Sequence, residues 1–259
     1  MKLTRLQEYP IRLLRMLFML YCAIPMLLSL LMVFPLYFII FRFTDKSKAP
    51  HRAHALSRNW AFFLFRAFFI RYRLNTRYAP RKDGVYVLVA NHRSFIDIPA
   101  YATSSCNTVR FLSKEELMWI PVIGYVIRRL YITVNRADHR DRQRSLEKML
   151  RSLKDGISVF LAPEGTRNTG SATLLPFKDG AFRLAIAAQC PIGILVLHNA
   201  QTILSTLRPV EMRPGTLYGE WLPEVDTTGM TEKDVTQLKI KVYSAMEEAL
   251  LRGPQPVEK

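Results

Sequence analysis

The sequence predicts an α/β fold, a mixed and mostly parallel sheet flanked by helices, with an N-terminal hydrophobic helical membrane motif ahead of it. Two observations predict this architecture. Beyond residue 84, short apolar runs alternate with longer segments of helical spacing, which is typical of a sheet covered by helices. Before them, Met16 to Phe41 is a run of 26 residues without a charge. At about 1.5 Å per residue, a helix of this length exceeds a hydrocarbon core of about 30 Å.

The length of the chain, 259 residues, fits one α/β domain with an appendage. We expect four parts along it. They are a hydrophobic membrane anchor with a basic linker over 1–55, an interfacial amphipathic helix over 56–75, the α/β domain over 76–252 and a tail over 253–259.

Positive charge is concentrated at the N-terminal end. The formal net charge is +16, and residues 1–83 hold 15 Lys or Arg against 3 Asp or Glu. This asymmetry indicates contact with an anionic surface, either a membrane or nucleic acid. The uncharged run favours the membrane, so we expect no nucleic-acid partner. Basic residues flank the run on both sides, and Pro25 and Pro35 interrupt its helical hydrogen bonds. A single span and a hairpin or half-inserted anchor therefore both remain open.

Residues 56–73 are a second candidate for membrane contact. Aromatic residues from Trp60 to Phe69 are interleaved with Arg58 and Arg66, and Arg71 and Arg73 follow. Arginine beside aromatic rings is typical of a helix that lies in the headgroup zone. The alternative is a core helix packed on the sheet. Because the apolar residues cover more than one helical face, we favour the interfacial interpretation.

The α/β domain divides into alternating elements. Strand predictions rest on short runs rich in branched apolar residues, and helix predictions on apolar residues three and four apart. The predicted strands are 85–90, 109–113, 130–134, 157–162, 192–197 and 216–221. The predicted helices are 96–105, 115–128, 139–153, 178–189 and 231–251. The last helix opens on a capping pattern, Thr231 to Asp234, and its apolar stripe predicts core packing.

His92 and Asp97 lie five residues apart, directly after the first predicted strand of the domain. Histidine can move a proton near neutral pH, and a carboxylate can fix its tautomer. Residues five apart on one regular helix point about 140° away from each other. The two side chains meet only if His92 lies in the loop and Asp97 in the first turn of the next helix. The alternative is a surface histidine beside an aspartate that the helix dipole favours.

A second motif, Pro163 to Asn168, follows another predicted strand. Gly165 permits a tight turn, and Arg167 can hold a phosphate through two parallel hydrogen bonds. The alternative is an ordinary loop with a surface arginine.

The two segments together closely resemble the glycerolipid acyltransferase family, in particular the 1-acyl-glycerol-3-phosphate acyltransferases. The match consists of an N-H-x-x-x-x-D motif at 91–97 and a P-E-G-T-R motif at 163–167, and it extends to 111–124 and 175–182. The sequence departs from the family pattern at Asn135, where aspartate is more usual, and at Ile194, where a second proline is expected. These departures leave the acceptor and the acyl chain undecided.

The resemblance implies transfer of a fatty acyl group from a thioester to the free hydroxyl of lysophosphatidic acid, giving phosphatidic acid. His92 would be the general base, and Asp97 would orient its imidazole and stabilise the charged form. The chain shows no activated serine or cysteine, so we expect direct attack without an acyl-enzyme.

The same resemblance implies the residues of the acceptor site. Arg167, Arg136 and Lys114 would bind the phosphate. Glu164, Gly165 and Thr166 would belong to the same site, where we expect Glu164 to orient an arginine or bind a glycerol hydroxyl.

We expect no metal and no cofactor, with an acyl-CoA or an acyl-acyl carrier protein as co-substrate. The expected partners are membrane lipids, lysophosphatidic acid and the donor thioester. The expected location is a bacterial inner membrane, with the catalytic domain on its cytoplasmic face. One alternative is an acyltransferase for another lysolipid, such as a lyso-ornithine lipid or other lysophospholipid. The other is a non-enzymatic basic membrane-binding protein.

Overall fold

A mixed sheet forms the centre of the molecule. The computed structural model describes residues 5–120, 122–135, 138–205 and 211–255. Within those ranges, seven strands pair in the order β1-β7-β6-β2-β5-β3-β4. Every neighbouring pair is parallel except β6 and β7. The strands are β1 Ile70–Asn75, β2 Val87–Ala90, β3 Val109–Lys114, β4 Ile132–Val134, β5 Ser158–Leu161, β6 Ile192–Leu197 and β7 Gly215–Val225.

Helices cover both faces of this sheet. They are α1 Arg5–Phe43, α2 Ala49–Ala67, α3 Asp97–Ser104, α4 Ile123–Leu130, α5 His139–Lys154, α6 Gly180–Ala188, α7 Ala200–Ile203 and α8 Val235–Arg252. Alternate residues of β2 point to opposite faces, as the pleat requires. Val87 and Val89 join a core with α5, α6 and α8. Leu88 and Ala90 join a second core with α2 and α3. The predicted mixed, mostly parallel α/β fold is confirmed.

The C-terminal helix has the predicted core stripe. Val235, Leu238, Val242 and Met246 are all buried in α8, and Leu250 packs against the same core from a partly buried position. The stripe follows from helical periodicity, because residues three and four apart share one face.

The predicted interfacial helix over 56–75 is wrong in its last third. Helix α2 ends at Ala67, and Ile70–Asn75 forms the edge strand β1, which pairs in parallel with β7. The apolar residues Ile70 and Tyr72 alternate with Arg71 and Arg73, and this period of two is that of a strand. Within α2 itself, one face packs in the core through Leu64 and Phe65, whereas Phe62 and Phe63 are exposed. One face of α2 is therefore a core face, and the interfacial role of its exposed aromatic residues stays a prediction.

The predicted helix over 115–128 is divided. Residues Glu115–Trp119 form a 3-10 turn, Ile120 is extended, and α4 begins at Ile123. The proline at 121 explains the break, because a proline disfavours the helical conformation of the residue before it.

The N-terminal run forms one continuous helix. Helix α1 continues through Pro25 and Pro35, so a hairpin within the run is wrong. The chain returns instead as α2, which packs on α1. Tyr37 and Ser57 share a hydrogen bond of 2.6 Å, and the Trp60 indole donates to Ser29 Oγ at 2.9 Å.

Only a narrow face of α1 is packed. Cys22, Val33 and Tyr37 are buried against the rest of the chain. The other faces expose a broad set of leucine, methionine and aromatic side chains, among them Leu31 at 70% and Met32 at 74%. By length and composition, Leu13–Phe43 is a candidate membrane span. An apolar helix with this exposed surface indicates membrane association.

Candidate active site

The predicted pair of His92 and Asp97 forms at the carboxyl end of β2. His92 lies in the loop after the strand, and Asp97 is the first residue of α3. Their side chains share a hydrogen bond of 2.8 Å between His92 Nδ1 and Asp97 Oδ2. Asp97 is fully buried, and the His92 side chain is 18% exposed. When Nδ1 donates to the carboxylate, Nε2 is the nitrogen that can accept a proton.

The Asp97 carboxylate also shapes the loop that holds His92. Oδ2 accepts hydrogen bonds from the backbone amides of Arg93 and Ser94, each at 2.7 Å. The side chain of Asn91 exchanges two hydrogen bonds with the backbone of Leu197 at the end of β6. The loop is thus fixed to the sheet on one side and to α3 on the other.

Glu164 lies beside the His92 loop and contacts its backbone. It is buried, Oε1 accepts from the backbone amide of His92 at 2.8 Å, and Oε2 accepts from that of Leu175 at 2.9 Å. Burial raises the pKa of Glu164, and the two amide hydrogen bonds oppose that rise. Each carboxylate oxygen accepts one main-chain hydrogen bond, and the expected role of Glu164 towards an arginine or a glycerol hydroxyl stays a prediction. Glu164 connects the backbone of the His92 loop to residues 164–175.

Arg93 strengthens the same connection, and the sequence prediction missed it. Its guanidinium donates to the carbonyl oxygens of Gly170 and Ala172, both at 2.9 Å, and to that of Thr173 at 3.3 Å. The backbone amide of Asn168 donates to the His92 carbonyl at 2.7 Å. The position of Arg93 inside the N-H-x-x-x-x-D motif could have indicated its role. From the local sequence alone, however, a charged residue in a loop is expected to lie at the surface.

Arg167 lies beside the His92 loop. Its guanidinium lies over the ring of Phe95, 3.6 Å from the centroid, and Phe95 is 56% exposed. Among the described residues, Arg167 Nη1 is buried and has no hydrogen-bond partner. A fixed guanidinium with a donor to spare suits an anionic group. Gly165 has a φ of +73°, which favours glycine, and the turn leaves Thr166 exposed.

A second phosphate candidate, Lys114, lies further from the His92 loop than Arg167 does. Lys114 is exposed at the end of β3, on the same edge of the sheet as His92 but two strands away from β2. Arg136 falls outside the described residues. Of the three predicted phosphate ligands, the structure therefore places Arg167 at the His92 loop.

The atypical segment around Ile194 is not part of an open site. It forms β6, whose six residues are all buried at the centre of the sheet. A Cβ on Gly193 would lie 2.7 Å from Leu88 Cδ2, so the glycine allows close packing against β2. The segment can influence selectivity only through the sheet that supports the site.

His198 is likewise structural. It is buried, and its Nε2 lies 2.9 Å from Glu220 Oε1. Arg252 at the end of α8 donates to both oxygens of the same carboxylate, at 2.8 and 2.9 Å. This group attaches α8 to strand β7.

Comparisons with known proteins show which proteins share this fold and this sequence pattern. The family model described as Acyltransferase matches residues 71–196. This part of the chain is similar to the acyltransferase family, and the relatives that it matches include 1-acyl-sn-glycerol-3-phosphate acyltransferases.

Two relatives and one solved structure illustrate the similarity. The chain is 32% identical over 163 residues to 1-acyl-sn-glycerol-3-phosphate acyltransferase alpha of Mus musculus, covering 62% of this chain and 57% of the mouse protein. It is 29% identical over 172 residues to the 1-acyl-sn-glycerol-3-phosphate acyltransferase of Salmonella typhimurium, covering 64% of this chain and 67% of that protein. The crystal structure of PlsC, the 1-acyl-sn-glycerophosphate acyltransferase of Thermotoga maritima, has a TM-score of 0.78 at 23% identity. That alignment covers 93% of this chain and 96% of the other.

The chain spans only part of the length of the relatives that it matches. The aligned part covers 66% of an acyltransferase of Schizosaccharomyces pombe, 44% of a 1-acyl-sn-glycerol-3-phosphate acyltransferase of Brassica napus and 57% of the mouse protein.

Proposed function

We propose that this protein transfers a fatty acyl group from an acyl thioester to the free hydroxyl of 1-acyl-glycerol-3-phosphate. The observation that carries the proposal is the 2.8 Å hydrogen bond between His92 Nδ1 and a fully buried Asp97. This hydrogen bond leaves Nε2 of His92 as the nitrogen that can act as a base. The histidine lies at the carboxyl edge of the sheet, in the same molecule as the candidate membrane helix α1. The names of the relatives supply the acceptor.

His92 Nε2 removes the proton from the acceptor hydroxyl as the oxygen attacks the thioester carbonyl. Asp97 keeps the proton on Nδ1 and stabilises the imidazolium. When the tetrahedral intermediate collapses, the carbon–sulfur bond breaks. The sulfur then takes the proton from His92, so the products are phosphatidic acid and a free thiol. The nearby hydroxyl of Ser94 supports direct attack, because it is buried and donates to the Leu204 carbonyl at 2.7 Å.

Arg167 is the phosphate ligand in this proposal. Its guanidinium has a donor to spare, and its stacking on Phe95 holds it beside the His92 loop. Lys114, at the end of β3, would add positive charge along the same edge. Arg136, which lies outside the described residues, is the third proposed phosphate ligand.

The donor is either an acyl-CoA or an acyl-acyl carrier protein, and the proposed mechanism uses no cofactor or metal. We place the reaction at the bacterial inner membrane, on its cytoplasmic face. The exposed apolar surface of α1 supports the membrane part of this proposal.

The test measures thiol release from acyl-CoA and from acyl carrier protein thioester, with lysophosphatidic acid in vesicles. We expect release that depends on the lysolipid with at least one donor. We also expect His92→Ala to lower turnover by about two to four orders of magnitude, the usual range for a general base. His51→Ala is the matched control, because His51 is exposed on α2. Normal turnover of H92A would contradict the base assignment. Release with another lysolipid but not with lysophosphatidic acid would contradict the acceptor.

A further inference from the structure

A cluster of exposed apolar side chains follows β3. The Trp119 segment, defined here as Glu115–Ile120, forms a 3-10 turn and one extended residue. Trp119 is 81% exposed, and Leu117 and Ile120 are 40% and 41% exposed. Three large apolar side chains within four residues mark an interaction surface more often than chance exposure.

The Trp119 segment is held in place by α4. The Gly124 amide donates to the Ile120 carbonyl at 2.8 Å, and Arg128 Nη1 donates to the Met118 carbonyl at 2.5 Å. A Cβ on Gly124 would lie 2.0 Å from the Met118 carbonyl oxygen, so only glycine permits this approach. The exposed side chains are therefore presented by a fixed backbone.

Helix α4 in turn packs against α1, the candidate membrane helix. The Tyr125 ring lies 5.5 Å from that of Phe34 and 6.3 Å from that of Phe38. Arg129 lies over the same ring, 3.8 Å from its centroid. The Trp119 segment is thus attached beside the C-terminal half of α1, where Phe38 and Ile39 are about half exposed.

The position of the Trp119 segment relates it to the active site as well. It begins at the carboxyl end of β3, which is parallel to β2 and β5 in the same sheet. The carboxyl ends of parallel strands lie at one edge, so the segment shares its edge with the His92 loop and with Glu164.

We propose that the Trp119 segment is a membrane contact in its own right, which inserts Trp119, Leu117 and Ile120 at the lipid interface. It holds the active-site edge against the bilayer. Tryptophan suits this zone because its ring is apolar and its N–H can reach water.

Apolar insertion carries this contact. Three exposed cations, Lys114, Arg128 and Arg129, are nearly balanced by the carboxylates of Glu115 and Glu116. The balance offers little to an acidic protein partner, and it predicts only weak dependence on anionic lipid.

The test compares tryptophan quenching in the full-length protein and in Trp119→Phe, both in phosphatidylcholine vesicles that carry bromine at a shallow acyl position. The chain has three tryptophans, of which Trp221 is buried and Trp60 is half-buried. We expect W119F to lose most of the bromine-quenched fluorescence. Subtracting the W119F signal from that of the wild type gives the fluorescence of Trp119. In vesicles, acrylamide in the aqueous phase should quench this fluorescence only weakly. The matched control adds Leu251→Trp to W119F, because Leu251 is 72% exposed on α8. This tryptophan should be quenched by acrylamide and not by the brominated lipid.

Equal bromine quenching in wild type and W119F would overturn the proposal. A second result would also overturn it: acrylamide quenches Trp119 in the presence of vesicles, and only added acyl carrier protein protects it. The Trp119 segment would then bind a protein and not the lipid.

Discussion

The functional side chains at this site have both local partners and partners that are distant in sequence. His92 can meet Asp97 through local geometry alone, because one lies in a loop and the other in the first helical turn. The backbone of His92, by contrast, is held by Glu164, which is 72 residues further along the chain. Glu164 and Arg93 are positioning residues, since their contacts are with the backbone of the loops and not with a substrate.

Arg93→Ala should lower kcat clearly and change the donor and acceptor KM less. The guanidinium holds three carbonyl oxygens of residues 170–173, and those residues continue into the stretch that holds His92 in place. Steady-state kinetics measures this split, and circular dichroism checks the fold. Arg93→Lys should rescue only part of the loss, because one ammonium cannot reproduce the planar fork. Wild-type kcat in R93A would show that the loops keep their geometry without it.

Arg167→Ala should chiefly raise the acceptor KM, because it removes the guanidinium assigned to the phosphate. A charged hydrogen bond of this kind contributes about 1.5–3 kcal/mol, which corresponds to roughly 10- to 100-fold in affinity. The measurement is initial rate against lysophosphatidic acid concentration, with the donor KM as internal control. Arg144, a surface residue of α5, provides a matched control variant, Arg144→Ala. An unchanged acceptor KM in R167A would remove Arg167 from phosphate recognition.

At the scale of elements, most strands and helices follow local patterns, and strand β1 is an exception. The prediction of β6 at 192–197 is confirmed residue for residue, because a short run of branched apolar residues has few alternatives. Strand β1 was missed because its arginines continue the basic, aromatic composition of α2. Its pairing with β7, some 140 residues later, decides its conformation.

Charges on the exposed face of α1 should weaken membrane binding. Leu31→Glu combined with Met32→Glu should release much of the protein from membranes. Both side chains are at least 70% exposed, and two charges in the apolar face oppose insertion. Sedimentation with vesicles measures the bound fraction. The matched control places the same two charges on α8, as Ile240→Glu and Leu251→Glu, where the side chains are also exposed. If L31E/M32E stays bound as wild type does, α2 or the Trp119 segment carries the attachment.

For the whole molecule, the buried groups link stability to pH. His54 lies in α2, is 4% exposed and lies close to the backbone of Ser105. Burial lowers its pKa from 6.5 to about 4. The folded protein keeps His54 neutral in a range where the unfolded chain protonates it, so unfolding takes up a proton.

Stability should therefore be full above pH 6.5 and fall as the pH decreases towards 4, by up to about 3 kcal/mol from this group. Thermal unfolding in detergent between pH 7 and pH 4 measures the fall. His54→Gln should flatten that part of the curve, although it lowers stability at neutral pH. A fall of the same size in H54Q would assign the effect to other groups.

The sequence by itself determined the alternation of strands and helices, the apolar N-terminal helix, and the histidine and aspartate that carry the proposed chemistry. These features depend on residues close together in the chain, where periodicity, turn chemistry and hydrophobic length act directly. Only the tertiary structure decided that Glu164 and Arg93 hold loops and that β1 closes one edge of the sheet. It also decided that the Trp119 segment packs on α4, the helix that contacts α1. Each of these depends on contacts between distant residues, and a local pattern of charge or apolarity does not specify which partner a side chain will meet.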